Sequence, residues 1–400
     1  MDNLRMEKNK RFREQVDAGD LMNFQESVIQ RVLTFQKSHA NYQETPLVLL
    51  KELAKQLKLS KLLVKDESYR FGLNAFKVMG GIYAVACCLA EQLGRSLDAL
   101  TFKDLKAEVE EKKLTGMTFI SATDGNHGRG VAWVTRQFGM NCIIRMPKGS
   151  SLERLKAIRA EGADAEITNV NYDDTVRICS RMAIENNYVM IQDTAWPSYE
   201  KIPLWIMQGY AGIAKEIAGV LDAPPTHIFL QAGVGSYAGG IAAYFLRRYI
   251  DNPPKIIIVE PNQADCYFRS FAREDGAMET VSGDMATFMA GLACGEPNTY
   301  AFHLLSRYAS GAVSCSDAVT ALGMRILGNP LKGDSRIISG ESGAVTTGAL
   351  YLLCSNDDYR KQFGLGEESV VLLISTEGDT DQASYREIVW EGQHPLKRRD

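Results

Sequence analysis

Three side chains placed where strands run into loops carry most of the chemical interest. Lys77 closes Asn74-Ala75-Phe76-Lys77, where a turn enters a helix just after the polar strand end Lys65-Asp66-Glu67. A helix N-terminus is the positive end of the backbone dipole and disfavours a charged amine. A partly buried lysine held there can lose its proton and act as a nucleophile or form a Schiff base. The bland reading of the same residue is a solvated surface lysine. Asp124 lies in Ser121-Ala122-Thr123-Asp124-Gly125-Asn126-His127-Gly128. Thr123, Gly125 and Asn126 offer a hydroxyl and backbone donors suited to a carboxylate. Asn126 also suits a ring hydroxyl or phenolate. A negative charge in such a loop is costly unless it meets a cation or moves a proton. His127 reads as structural, with no catalytic proton assigned. Asp193, in Gln192-Asp193-Thr194-Ala195-Trp196-Pro197, ends a strand; a turn carboxylate and a functional acid are equal readings of it.

A fourth loop, Gly233-Val234-Gly235-Ser236-Tyr237-Ala238-Gly239-Gly240, follows the strand His227–Gln231 and opens a helix. Glycines let the backbone approach an anion, and the free N–H groups of a helix start bind phosphate. Two rival readings stand beside this one. Gly233-x-Gly235-x-x-Ala238, followed by a strand ending at Glu260, imitates a dinucleotide fingerprint. Tight helix–sheet packing with no ligand is the other. Late in the chain, Ser375 and Thr376 close the last strand and offer a neutral hydroxyl to a ring nitrogen.

The elements that must position these residues alternate. Strand patterns stand at 62–65, 117–123, 141–146, 165–170, 188–192, 227–231, 255–260 and 369–375, with helical stretches between them. Val78, Ile82, Val85, Leu89 and Leu93 form one helical face. Ser150 and Glu153 read as a capping box. The charged run 103–113 reads as a solvated helix and loop. Alternation of this kind means an α/β protein with a parallel, helix-covered sheet. Such sheets carry ligand sites at the carboxyl ends of their strands. No Gly-, Pro- or Ser-rich linker divides the chain, so two lobes would be interleaved in sequence.

At 400 residues the chain is long enough for two lobes around a cleft. Its net charge of −4 gives no general attraction to nucleic acid or anionic membrane. No apolar run approaches the roughly 20 residues that span a bilayer. The first ten residues are polar and carry no signal-peptide core, so the expected location is cytoplasmic. The eight cysteines match no zinc spacing, and no metal site is expected. Cys266 and Cys294 fall in Gly- and Pro-flanked stretches, where a disulfide between them stays an open alternative.

The order of these motifs resembles the tryptophan-synthase-β superfamily, the fold type II pyridoxal 5′-phosphate enzymes. A Rossmann enzyme has no need of Lys77 and the Asn126 loop, so the resemblance displaces the dinucleotide reading. Within the superfamily the chain looks most like the diaminopropionate ammonia-lyases. The matching stretches are Phe71–Lys77, Thr123–Trp133, Gln192–Trp196 and Trp205–Tyr210. An ordinary dehydratase has a small residue where Asp124 stands. The resemblance implies two interleaved three-layer αβα domains with the cofactor between them. Residues 1–80 plus 195–400 would form the larger domain and residues 81–194 the smaller, mobile one.

The resemblance also implies roles. Lys77 would carry pyridoxal 5′-phosphate as a Schiff base. Gly233, Val234, Gly235, Ser236 and Tyr237 would hold its phosphate, Asn126 its ring oxygen, and Ser375 or Thr376 its ring nitrogen. Thr123, Asp124, Gly125, Asn126 and His127 would bind the amino-acid substrate. The implied reaction is α,β-elimination of D- and L-2,3-diaminopropionate to pyruvate and two ammonia. Asp124 would deprotonate the D form, and either Lys77 or Asp193 the L form. A serine/threonine dehydratase of the same fold is the alternative, and a homodimer is the expected assembly.

Overall fold

In the computed structural model, residues 3–396 are described; Met1, Asp2 and residues 397–400 lie outside them. Eleven strands are described: β1 Leu4–Lys8, β2 Leu47–Leu49, β3 Lys61–Asp66, β4 Thr118–Ala122, β5 Asn141–Met146, β6 Asp164–Ile167, β7 Val189–Met190, β8 His227–Gln231, β9 Lys255–Pro261, β10 Ala309–Cys315 and β11 Val370–Ser375. They form two sheets. The larger has the order β1-β10-β9-β8-β11-β3-β2 and the smaller β6-β5-β4-β7. The pairings from β10 to β3 and throughout the smaller sheet are parallel, while β1 and β2 run antiparallel on the two outer edges. All four strands of the smaller sheet fall between residues 118 and 190, inside the chain that builds the larger one.

The central strands are continuous apolar runs because helices cover both faces of a parallel sheet. Ile256, Ile257, Ile258 and Val259 on β9, and Val371, Leu372, Leu373 and Ile374 on β11, are fully buried. Helix Val78–Gln92 lies between helices Asn126–Gln137 and Lys201–Ala218. Its face Val78, Ile82, Val85 and Leu89 is buried as the sequence pattern requires. Each such side chain contributes roughly 1.5–3 kcal/mol by leaving water. The close crossing needs small residues: a Cβ at Gly209 would stand 2.4 Å from the Met79 carbonyl oxygen. No helix of the described residues is long and apolar enough to cross a membrane.

The turn that delivers Lys77 is fixed from below. Phe71, Gly72 and Asn74 all take positive φ, so the chain reverses sharply after β3. Beneath this turn Arg70 donates to Glu67 and Glu216, with all four N···O distances between 2.8 and 2.9 Å. Lys65 donates to Glu216 at 2.7 Å. All four groups are buried, two positive and two negative. Buried charge survives when it is paired and hydrogen-bonded.

Several local expectations change. The helix after β5 starts one residue later: Ser151 accepts from the Glu153 N–H at 3.2 Å, while Ser150 donates to the Pro147 carbonyl at 2.8 Å. The charged run 103–113 includes helix Phe102–Glu111, which buries Phe102, Leu105 and Val109. Strands β1, β2 and β10 carry no long apolar run and were not expected. Cys266 and Cys294 are both free thiols, and the Cys266 thiol donates to the Gly295 carbonyl at 3.0 Å.

Candidate active site

The carboxyl ends of β3, β4, β8 and β11, and the loop after β7, meet around one cleft with about 640 Å³ of space, open solvent included. Lys77, Thr123, Asp124, Asn126, His127, Asp193, the run Gly233–Tyr237 and Thr376 line it. Gly125 and Ser375 do not. Ser375 is buried and donates instead to the Ser339 hydroxyl at 2.8 Å.

Lys77 caps the N-terminus of helix Val78–Gln92, and its Nζ donates to Asp193 Oδ2 at 2.6 Å. The other Asp193 oxygen accepts from Tyr172 at 3.3 Å and from Gln192 at 3.4 Å. Burial alone would push this carboxyl up. The Lys77 ammonium outweighs burial, helped by these donors, and the pKa falls to about 2. Burial would likewise lower the lysine, but the Asp193 charge raises it well above its ordinary value. The pair is therefore ionised at neutral pH, so the amine must give up a proton before it can act as a nucleophile.

The Asp124 loop is ordered by its own hydroxyl. Thr123 Oγ accepts from the N–H groups of Gly125 at 2.9 Å and Gly128 at 3.0 Å. His127 is buried, with Nε2 bonded to the Ile191 carbonyl at 2.9 Å; burial lowers its pKa and keeps the ring neutral. Asn126 donates to Glu377, which also accepts from the Ser342 N–H at 2.9 Å. Ser236, at the start of helix Ser236–Arg248, donates through its side chain to the Asp193 carbonyl, tying the glycine loop to the acid loop. Gly235 sits at φ +92, and a Cβ there would fall 2.0 Å from Tyr267 Oη. Only glycine fits at this point of the cleft wall.

Glu377, Gln231, Tyr172 and Ser342 also line the cleft and were not foreseen. Glu377 directly follows Thr376, so a search for carboxylates at strand ends, rather than hydroxyls, finds it. Gln231 closes β8, but its carboxamide falls outside that rule. Tyr172 begins a helix that carries no local signal of function.

These residues fit a cofactor that is anionic, ring-shaped and linked through an amine. Asp124 Oδ2, His127 Nδ1, Gln231 Oε1, Tyr237 Oη and Ser342 Oγ are buried polar atoms with no hydrogen-bond partner among the described residues. All five belong to residues lining the cleft. Buried polar atoms without partners are rare in folded proteins, and such a group marks a ligand's place.

Comparison with known proteins agrees. The family model described as "Pyridoxal-phosphate dependent enzyme" matches residues 40–377. Diaminopropionate ammonia-lyase of Escherichia coli (strain K12) is 49% identical over 379 residues, covering 93% of this chain and 94% of its own length. The crystal structure of the Escherichia coli enzyme in complex with D-serine superposes with a TM-score of 0.91 at 45% identity, covering 98% of each chain. The same enzyme in complex with an aminoacrylate-PLP azomethine reaction intermediate gives a TM-score of 0.90 at 44% identity, covering 99% of each chain. The chain therefore belongs to the pyridoxal-phosphate dependent enzymes of fold type II, and within them to the diaminopropionate ammonia-lyase family. It is an enzyme, and its cofactor is pyridoxal 5′-phosphate, as its motifs led us to expect.

Proposed function

We propose that this enzyme eliminates ammonia from both enantiomers of 2,3-diaminopropionate, giving pyruvate and two ammonia. The observation that carries the reading is a pair of carboxylates in one cleft with Lys77: Asp193 engaged with the amine, and Asp124 with a buried oxygen left unpartnered. Pyridoxal phosphate, when bound, supplies an electron sink that acidifies the substrate's α-hydrogen. The protein does the rest. Lys77 anchors the cofactor, and Asp193 holds the proton balance of its amine. Backbone N–H groups at Gly235–Tyr237 would hold the phosphate at a helix N-terminus, where the dipole favours negative charge. Asn126, which donates to Glu377, would contact the ring oxygen, and Thr376 would meet the ring nitrogen. The Thr123–His127 loop receives the substrate carboxylate, and the neutral His127 ring adds no competing charge.

The α-hydrogens of the two enantiomers point to opposite faces, so a single base could not easily serve both. Asp124 takes the proton of the D isomer, and Lys77 or Asp193 that of the L isomer. A carboxylate in the cleft also suits a substrate with a second ammonium group. At ~4 Å and an effective dielectric of ~20, such a contact has a Coulomb term of about 4 kcal/mol before desolvation. When the β-amine leaves with the α-proton, water converts the released unsaturated amine to pyruvate and the second ammonia. Residues 1–80 plus 195–400 act as the larger body and 81–194 as the smaller one. A cytosolic homodimer is proposed on fold analogy alone; sedimentation and cell fractionation test it.

The direct test is Asp124→Asn. Its turnover of the D isomer should fall about a hundredfold or more, in the range expected for a lost general base, with the L isomer far less affected. Equal losses on both isomers would remove the face-selective role.

A further inference from the structure

Arg154 lies on helix Leu152–Ala160, outside every motif that points to the cofactor. It is buried, at 6% side-chain exposure, and does not itself line the cleft. Its Nη1 stands 4.0 Å from Asp124 Oδ2. Its Nη2 donates to Glu341 Oε2 at 3.3 Å and to Thr380 Oγ at 3.4 Å. Arg154 Nε and Asp124 Oδ2 are both buried and without hydrogen-bond partners among the described residues. The guanidinium and the carboxylate, of opposite charge, each keep one buried polar atom without a partner.

Two further observations tie the arginine to this place. Its stem crosses Gly125, where a Cβ would fall 2.8 Å from Arg154 Cδ. Gly125 does not line the cleft, so the room it leaves serves the arginine. At the helix start, Ser151 donates to Asp381 Oδ2 at 2.6 Å and fixes the helix against the segment after β11. Burial pushes the Glu341 carboxyl up, and Glu377, Asp124 and Asp381 also act on the guanidinium.

We propose that Arg154 is a positioning residue for Asp124: its guanidinium, 4.0 Å away, holds the carboxylate turned toward the face that carries the D isomer's α-hydrogen. The inference rests on the base role of Asp124 proposed above. A carboxylate acting as a base must be both charged and aimed, and a misplacement near 1 Å costs about a hundredfold in rate. Arg154 therefore sets the balance between the two enantiomers without touching either.

The test compares holoenzymes of the parent, Arg154→Met, Arg154→Lys, Glu341→Gln and Asp124→Asn on each enantiomer, with cofactor affinity measured separately by titration. Arg154→Met should lower kcat for the D isomer by about a hundredfold with little change in its KM. Its kcat for the L isomer and its cofactor affinity should stay close to the parent's. Arg154→Lys should recover much of the D activity, because it restores the charge. Glu341→Gln removes the competing carboxylate, so its D-to-L ratio should exceed the parent's; it decides the matter if Arg154→Met fails to fold. An arginine that merely clamps two segments would lower both isomers alike in Arg154→Met, or leave the D-to-L ratio of Glu341→Gln no higher than the parent's. Either result overturns the inference. If Asp124→Asn lowers both isomers equally, the base role itself fails, and the inference falls with it.

Discussion

Lys77 and Asp193 are chemically useful because each distorts the other. The buried ammonium holds the carboxyl near pKa 2, and the carboxylate holds the ammonium protonated. A carboxyl depressed in the folded state adds stability that is complete above its unfolded value, ~3.9, and is lost as pH falls through about 2. The shift is worth about 2 kcal/mol. In the cofactor-free protein, Asp193→Asn should cost roughly 3 kcal/mol at neutral pH, because it strands a buried ammonium. The gap between parent and variant should narrow between pH 4 and pH 2, read by denaturant unfolding. A gap that ignores pH would refute the pairing. Lys77, Asp124 and Asp193 were legible because each stands where a strand or turn gives way to the next element. Arg154 was not: it sits on a helix whose spacing reads as an ordinary surface face, and only the fold brings it to Asp124.

Among the elements, legibility followed burial. β8, β9 and β11 are covered on both faces and read as unbroken apolar runs. β10, Ala-Ser-Gly-Ala-Val-Ser-Cys, carries small residues because it packs closely, and its composition looks like a loop. β1, Leu-Arg-Met-Glu-Lys, is a polar edge strand whose partner lies about 300 residues away. The glycine loop was legible as part of the cleft, but the reason for Gly235 was not. Its positive φ and the Tyr267 hydroxyl together exclude any side chain. Gly235→Ala should therefore destabilise the protein by about 2 kcal/mol or more and weaken cofactor binding at least tenfold. Melting temperature and cofactor titration check it; a variant with normal affinity would show that this backbone does not meet the phosphate.

At the scale of the molecule, the alternation of strands and helices gave the α/β class, and motif order gave the family. The chain threads one sheet inside the other, so the acid loops of the smaller sheet face the glycine loop and Lys77 of the larger. That interleaving was legible only as the absence of a linker. Pairing distances such as Lys77 to Asp193, 116 residues apart, belong to the fold and not to any local pattern. The account turns on what such a cleft consumes. Keto-acid release by the holoenzyme, measured with D-2,3-diaminopropionate, L-2,3-diaminopropionate, serine and threonine in parallel, tests it most directly. Pyruvate should form from both diaminopropionate enantiomers at rates well above keto-acid formation from serine or threonine. Faster turnover of serine or threonine, or turnover of one enantiomer alone, would contradict it.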